Sequence, residues 1–155
     1  MKSVLLLLSG AAFLSLLACG QQGGGKAVKP AGLRSDFVTV NGVRLNYLEW
    51  PGPEGNTGPA LVLIHGTGDS PHFFGDFAPR FQDRFRVISY ARRGHASSEA
   101  PGGPYDFDTL VEDLRQLLDS LQVERASLLG LSMGGNEITG FARLYPDRVE
   151  RLVYL

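Results

Sequence analysis

Residues 126–145 read ASLLGLSMGGNEITGFARLY and contain the clearest folding signal of the chain. The apolar run at 126–131 is typical of a strand buried on both faces of a parallel sheet. From residue 138 onward, apolar side chains recur at helical spacing until Pro146, which ends the predicted helix. The pattern therefore predicts a strand that turns sharply into a helix, and the turn between them reads GLSMG at 130–134.

This turn has the form G-x-S-x-G, with Ser132 at its centre. The pattern alone is weak, because the chain has 20 glycines and chance matches are common. Its position between a buried strand and a helix makes it specific, since a nucleophilic serine needs a strained turn at a helix N-terminus. Gly130 and Gly134 allow backbone and helix to approach closely there. The other interpretation is a glycine-rich turn in which Ser132 caps the helix; we predict that Ser132 is a nucleophile.

The chain around this turn alternates strands and helices. Asn41-Gly42 separates two alternating runs and predicts an N-terminal β-hairpin. A helix is predicted over 110–121, with Thr109 and Glu112 as a capping box, and a short helical stretch over 73–81. The predicted strands are 36–40, 43–48, 60–64, 85–90, 126–131 and 149–155. This order predicts an α/β fold with a mostly parallel sheet, helices on both faces and right-handed crossovers.

Length and composition narrow the class of protein. A chain of 155 residues suggests one domain at most, and 43% apolar with 20% charged residues is ordinary for a globular protein. The net charge is −1 and the basic residues are scattered, so no nucleic-acid partner is expected. The single cysteine excludes an internal disulfide. We expect neither a cofactor nor a metal ion, and the sequence leaves the oligomeric state open.

The first residues have the pattern of an export signal. Lys2 precedes an apolar stretch at 4–17, which is too short to span a membrane comfortably and is followed by a polar, glycine-rich run. The segment ends LLAC at 16–19, which resembles a bacterial lipoprotein signal and implies lipidation of Cys19. The alternative is a simple signal peptide with a chance cysteine. We therefore expect a signal peptide at 1–18, a lipidated Cys19 and flexible tether at 19–34, and a folded domain at 35–155. The expected location is the cell envelope, with the lipid on Cys19 as the membrane anchor.

Three stretches in order resemble the α/β-hydrolase superfamily: LVLIHGTG at 61–68, RVISYARRGHASS at 86–98 and LLGLSMGG at 128–135. The resemblance extends from about Phe37 to the end of the chain. It departs from the family at Ala91, where the family often has aspartate, and at His95-Ala96, where the family often has any residue followed by glycine. This loop is interpreted as structural, and His72 and His95 as surface residues of loops.

The resemblance implies roles for individual residues. The backbone N–H groups of Thr67 and Met133 would form an oxyanion hole, and His65 would shape the oxyanion loop together with Gly66 and Gly68. The substrate would be a small ester.

In the family the serine is followed along the chain by an acid after the seventh strand and a histidine after the eighth. No histidine follows His95 in this sequence. We therefore expect this chain to be the N-terminal half of the fold, ending at the sixth strand, and to turn over esters poorly by itself.

Two alternatives stay open at this stage. One is a non-catalytic lipoprotein that uses the half-fold as a binding module. The other is a cofactor-free haloperoxidase or perhydrolase, which shares the G-x-S-x-G turn at 130–134 (the nucleophile elbow) and the oxyanion loop. Serine rather than aspartate at position 132 opposes the chemistry of haloalkane dehalogenases and epoxide hydrolases, which resembles an aspartate-nucleophile mechanism.

Overall fold

The computed structural model describes residues 32–53 and 58–155. A six-stranded sheet forms the centre of this part of the chain, in the order β1-β2-β4-β3-β5-β6. Its strands are β1 (Arg34–Val40), β2 (Val43–Trp50), β3 (Ala60–Ile64), β4 (Arg86–Tyr90), β5 (Ala126–Gly130) and β6 (Val149–Tyr154). The α-helices are α1 (Phe107–Ser120) and α2 (Met133–Leu144), and short 3₁₀ helices cover Pro71–Phe74, Ala78–Phe81 and Pro146–Arg148.

The sheet is mostly parallel, as predicted. Strands β3, β4, β5 and β6 pair in parallel, whereas β1 and β2 form the antiparallel hairpin and β2 joins β4 antiparallel. Asn41 and Gly42 both have positive φ, 47° and 75°, which is what a two-residue turn between twisted strands requires. All five residues of β3, β4 and β5 are buried, and this explains their uninterrupted or nearly uninterrupted apolar sequences.

The two faces of the sheet are covered differently. Apolar side chains of α1 and α2, such as Leu114 and Phe141, pack in one cluster on the same face. On the opposite face, Trp50 and Leu63 pack with Phe74 and Ala78 from the short 3₁₀ segments. In the part of the chain that the structure describes, the predicted helices on both faces are therefore α-helices on one face and short 3₁₀ helices on the other. Pro71 and Pro79 open the two short segments, where a missing N–H and fixed φ favour single turns.

Helix α1 begins at Phe107, three residues before the predicted start at residue 110. Asp106 is its N-cap and accepts a hydrogen bond from the Thr109 N–H at 2.9 Å, which lowers the pKa of the Asp106 carboxyl. The predicted capping box of Thr109 and Glu112 is therefore wrong. Glu112 instead binds Arg115, and this contact lowers the pKa of Glu112 to about 2. Apolar periodicity identifies the buried residues of a helix, whereas Phe107 and Asp108 in the first turn of α1 are exposed and lie outside that repeat.

The predicted signal peptide, Cys19 and most of the predicted tether lie outside the described residues. In residues 32–53 and 58–155, no helix has the length and apolar character to cross a membrane.

Candidate active site

Ser132 lies between the last residue of β5 and the first residue of α2. Its backbone has φ 51° and ψ −116°, a conformation that non-glycine residues rarely adopt and that stores strain. Two hydrogen bonds close the turn: Gly134 N–H donates to the Leu131 carbonyl and Gly135 N–H to the Ser132 carbonyl, both at 2.8 Å. Ser132 is exposed at the carboxyl end of the sheet, where a substrate can reach its hydroxyl.

The glycines on either side of Ser132 stand where no larger residue fits. A Cβ at Gly130 would lie 2.4 Å from the carbonyl carbon of Gly134, and a Cβ at Gly134 would lie 2.4 Å from the Ile64 oxygen. Both contacts are to backbone atoms, which cannot rotate away. The G-x-S-x-G spacing thus lets α2 begin directly against the ends of β5 and β3.

The loop that follows β3 touches this turn. Leu131 N–H donates to the Ile64 carbonyl at 2.9 Å, and a Cβ on Gly66 would lie 3.5 Å from the Cβ of Ser132. The Thr67 hydroxyl contacts the sulfur of Met133 at 3.3 Å. The structure therefore brings Gly66 and Thr67 of the predicted oxyanion loop together with the start of α2, whereas a Cβ on Gly68 would meet nothing within 4 Å. The Gly134 and Gly135 N–H groups are used within the turn, which makes the Met133 N–H, at the N-terminus of α2, the donor that this helix can offer to an anion.

His65 is fully buried and held through both ring nitrogens. Its Nδ1 is 2.8 Å from the Gly66 carbonyl, and its Nε2 accepts from the Arg92 backbone N–H at 3.4 Å. Burial and, secondarily, the nearby Arg92 charge lower the pKa of His65 to about 4. The imidazole is therefore neutral at pH 7, and both of its nitrogens contact backbone groups, those of Gly66 and Arg92.

The other two histidines differ from each other. His72 is exposed, as predicted. His95 is half-buried, so the prediction of a surface residue holds only in part: its ring lies 5.2 Å from that of His65, and it lines a cavity. The reason is that the loop after β4 folds back over the oxyanion loop.

This cavity has a volume of about 290 Å³ and adjoins both predicted oxyanion residues. Most of its lining is apolar and aromatic. The lining residues are Thr67, Arg92, Arg93, His95, Tyr105, Phe107, Leu110 and Met133. Exposed Tyr105 and Phe107 stand at its edge, so an apolar group of a substrate can pack there.

A group of buried charges behind the site was not predicted. Arg92 and Glu137 form an ion pair at 2.5 Å, and the Tyr90 hydroxyl donates to the same carboxylate. Burial raises the pKa of Glu137, while Arg92 lowers it, and burial raises the pKa of Tyr90. Partners 45 residues apart leave no mark on local sequence patterns. The signal in the sequence is an Arg-Arg pair one residue after a buried strand.

A second buried pair joins the neighbouring arginine to α1. Arg93 binds both carboxylate oxygens of Asp113, at 2.6 and 2.7 Å, and Asn41 donates to the same carboxylate. Among the residues that the structure describes, no three His, Cys, Asp or Glu side chains group as metal ligands.

The comparisons with known proteins agree with this geometry. A family profile described as alpha/beta hydrolase fold matches residues 59–155. The chain therefore belongs to the alpha/beta hydrolase family, and both the predicted superfamily and the predicted fold class are confirmed.

Several relatives carry names of known activities. The chain is 35% identical over 118 residues to 3-oxoadipate enol-lactonase 2 of Acinetobacter baylyi, which covers 76% of this chain and 43% of that protein. The crystal structure of the enol-lactonase from Burkholderia xenovorans matches with a TM-score of 0.72 and 36% identity, over 76% of this chain and 45% of that one. Fluoroacetate dehalogenase from a Burkholderia species is 32% identical over 129 residues, covering 80% of this chain and 41% of that enzyme. The chain thus spans less than half the length of each.

Proposed function

We propose that this chain is part of a serine hydrolase that cleaves small carboxylic esters through an acyl-enzyme at Ser132. The observation that supports it best is the strained backbone of Ser132, exposed at the start of α2 with the oxyanion loop beside it. Backbone strain of this kind persists only where the surrounding structure imposes it, and strained residues are found most often at active sites.

The chemistry follows from the groups around the turn. The Ser132 oxygen attacks the ester carbonyl carbon while a base takes the hydroxyl proton, and the carbonyl oxygen becomes an anion. The N–H groups of Thr67 and Met133 stabilise that anion, and such donors are worth about 3 kcal/mol each. The C–O bond then breaks, the alcohol leaves with the proton, and water repeats the sequence to release the acid.

The base is expected from outside the described strands. His65 is fixed by its two hydrogen bonds, and none of the three histidines follows Ser132 along the chain. The family resemblance places the acid after a seventh strand and the histidine after an eighth. The relatives are more than twice as long as the matched region, which leaves room for these elements.

Serine chemistry and an ester substrate are the finer parts of the proposal. Two relatives are enol-lactonases by name, and a lactone is an internal ester. The dehalogenase relative has a different named activity. Serine at position 132 favours the ester chemistry, because an acyl-enzyme forms on a hydroxyl nucleophile.

The test is hydrolysis of p-nitrophenyl acetate and of a small lactone by the full-length protein. We expect turnover that Ser132→Ala abolishes. The loss should be about a million-fold if the serine, the histidine and the acid act as a unit, the catalytic triad. The 155-residue chain alone should show little turnover. Brisk hydrolysis by that chain, lost in Ser132→Ala, would contradict the missing base, and His65→Ala would be the next variant. A folded full-length protein that neither hydrolyses esters nor reacts with a fluorophosphonate would instead favour the binding module.

A further inference from the structure

The Arg92 side chain connects the two backbone segments that would hold an oxyanion. Its Nε donates to Glu137 at 2.5 Å, its Nη2 to the His65 carbonyl at 2.5 Å, and its Nη1 to the Gly66 carbonyl at 3.4 Å. Both charged side chains are completely buried. One planar guanidinium therefore contacts helix α2 and the oxyanion loop at once.

These contacts lie directly beside the predicted donors. Glu137 is one helical turn after Met133, and Gly66 immediately precedes Thr67. A helix turn is rigid, and a loop whose consecutive carbonyls are both held has little freedom. The distance between the Met133 and Thr67 N–H groups is therefore fixed through Arg92.

Stability alone does not account for this arrangement. A buried ion pair loses its hydration, and apolar residues of similar volume often stabilise a core as well or better. A lysine would keep the charge, but its single ammonium cannot reproduce the planar fork that meets three acceptors. The geometry accounts for an arginine at this position, and the Tyr90 hydroxyl on the other carboxylate oxygen fixes Glu137 in turn.

We propose that Arg92 and Glu137 are positioning residues that set the spacing of the oxyanion hole, and that they act on turnover rather than on substrate affinity. This inference rests on the proposed function for its kinetic consequence. Its structural consequence, a fixed loop at 64–68, does not depend on ester hydrolysis.

The test is the double variant Arg92→Met with Glu137→Met in the full-length protein. Apolar replacement of the whole pair avoids leaving one buried charge without its partner. We expect a folded protein whose kcat for p-nitrophenyl acetate falls at least tenfold while KM changes less than threefold. Amide hydrogen exchange at 64–68 should accelerate at least tenfold. Arg92→Lys should not restore kcat.

A matched control is available at the opposite end of β4. Arg86 and Glu49 form another buried ion pair, at 2.6 Å, and Arg86 begins the strand that Arg92 follows. The double variant Arg86→Met with Glu49→Met should leave kcat and exchange at 64–68 unchanged, whatever its effect on stability.

Three outcomes separate the possibilities. If the Arg92/Glu137 double variant keeps kcat within twofold and exchange at 64–68 is unaltered, the positioning role is wrong. If the double variant does not fold, Glu137→Gln, which keeps the shape and removes the charge, must show the same loss of kcat and faster exchange. If the parent protein shows no ester turnover, the proposed function fails, and hydrogen exchange alone decides on the positioning role.

Discussion

Replacing Gly134 by alanine tests how closely α2 approaches the sheet. The added Cβ would lie 2.4 Å from the Ile64 oxygen, 3.1 Å from its carbonyl carbon and 3.2 Å from the His65 oxygen. Carbon and oxygen need about 3.3 Å. The start of α2 and the end of β3 must therefore separate by about 0.9 Å, the difference between that spacing and the 2.4 Å contact.

This separation has two measurable consequences. Forcing an extra carbon into a packed interior costs typically about 1–3 kcal/mol, and the helix gains less than about 1 kcal/mol from alanine, so the net loss is roughly 2 kcal/mol. For a protein of the relatives' size this lowers Tm by about 6 °C. Because Ile64 leads into the oxyanion loop, Thr67 moves relative to Met133, and a misplacement of about 1 Å can reduce kcat about 100-fold.

The assays are thermal unfolding by circular dichroism and ester hydrolysis by the full-length protein. Gly140→Ala is the matched control in the same helix, because its Cβ would meet a side-chain carbon of Val111 at 3.0 Å, which requires a shift of only about 0.3 Å to reach the same spacing. Gly102→Ala meets nothing within 4 Å. Both controls should keep Tm within about 3 °C, which corresponds to less than 1 kcal/mol. A Gly134→Ala protein with the parent's Tm and kcat would refute the close approach.

Four further predictions concern other residues. Ser132→Gly should raise the free energy of unfolding by about 1 kcal/mol, because glycine relieves the backbone strain, whereas Ser132→Ala should not; equal Tm values would contradict this. The pKa of Glu112 is about 2 in the folded protein, against an ordinary value of 4.5. Its contribution to the free energy of unfolding is therefore present above pH 4.5 and lost as the pH falls toward 2. In Glu112→Gln, the free energy of unfolding measured with urea should vary less with pH between 4.5 and 2. The pKa of His65 is about 4 in the folded protein, against an ordinary value of 6.5. As the pH falls from 6.5 toward 4, the unfolded state binds the proton first and the free energy of unfolding decreases. His65→Gln should remove this pH dependence. Mass spectrometry of the mature N-terminus should show a lipidated Cys19, and an intact Met1 would exclude it.

The parts of the fold that the sequence predicts are those with a local cause. The turn around Ser132 is encoded within five residues, because the two glycines remove side chains that would collide with backbone. The hairpin is encoded by Asn41 and Gly42, whose positive φ values few other residues adopt without strain. Continuous or nearly continuous apolar runs likewise identify the buried strands, in which Arg86, Ser89 and Ser127 are the polar exceptions.

Features that depend on contacts between distant parts of the chain, or on a cap outside the apolar repeat, could not be predicted. The start of α1 at Phe107 depends on a cap by Asp106, whose turn carries no apolar repeat. The half-buried position of His95 depends on how the loop after β4 folds over the loop after β3. Glu137 lies among apolar residues of α2, and only the structure shows that Arg92 meets it.

The described residues divide the proposed reaction into two parts. Ser132, the loop at 65–68 and the start of α2 supply the nucleophile and the stabilisation of negative charge. The proton transfer requires a base, and both ring nitrogens of His65 already contact backbone groups, those of Gly66 and Arg92. Two oxyanion donors account for about 6 kcal/mol, whereas the loss of a triad costs roughly a million-fold in turnover. In the proposed reaction, charge stabilisation would thus come from the strands described here, separately from the groups that move the proton, and the buried contacts of Arg92 would hold the two donors together.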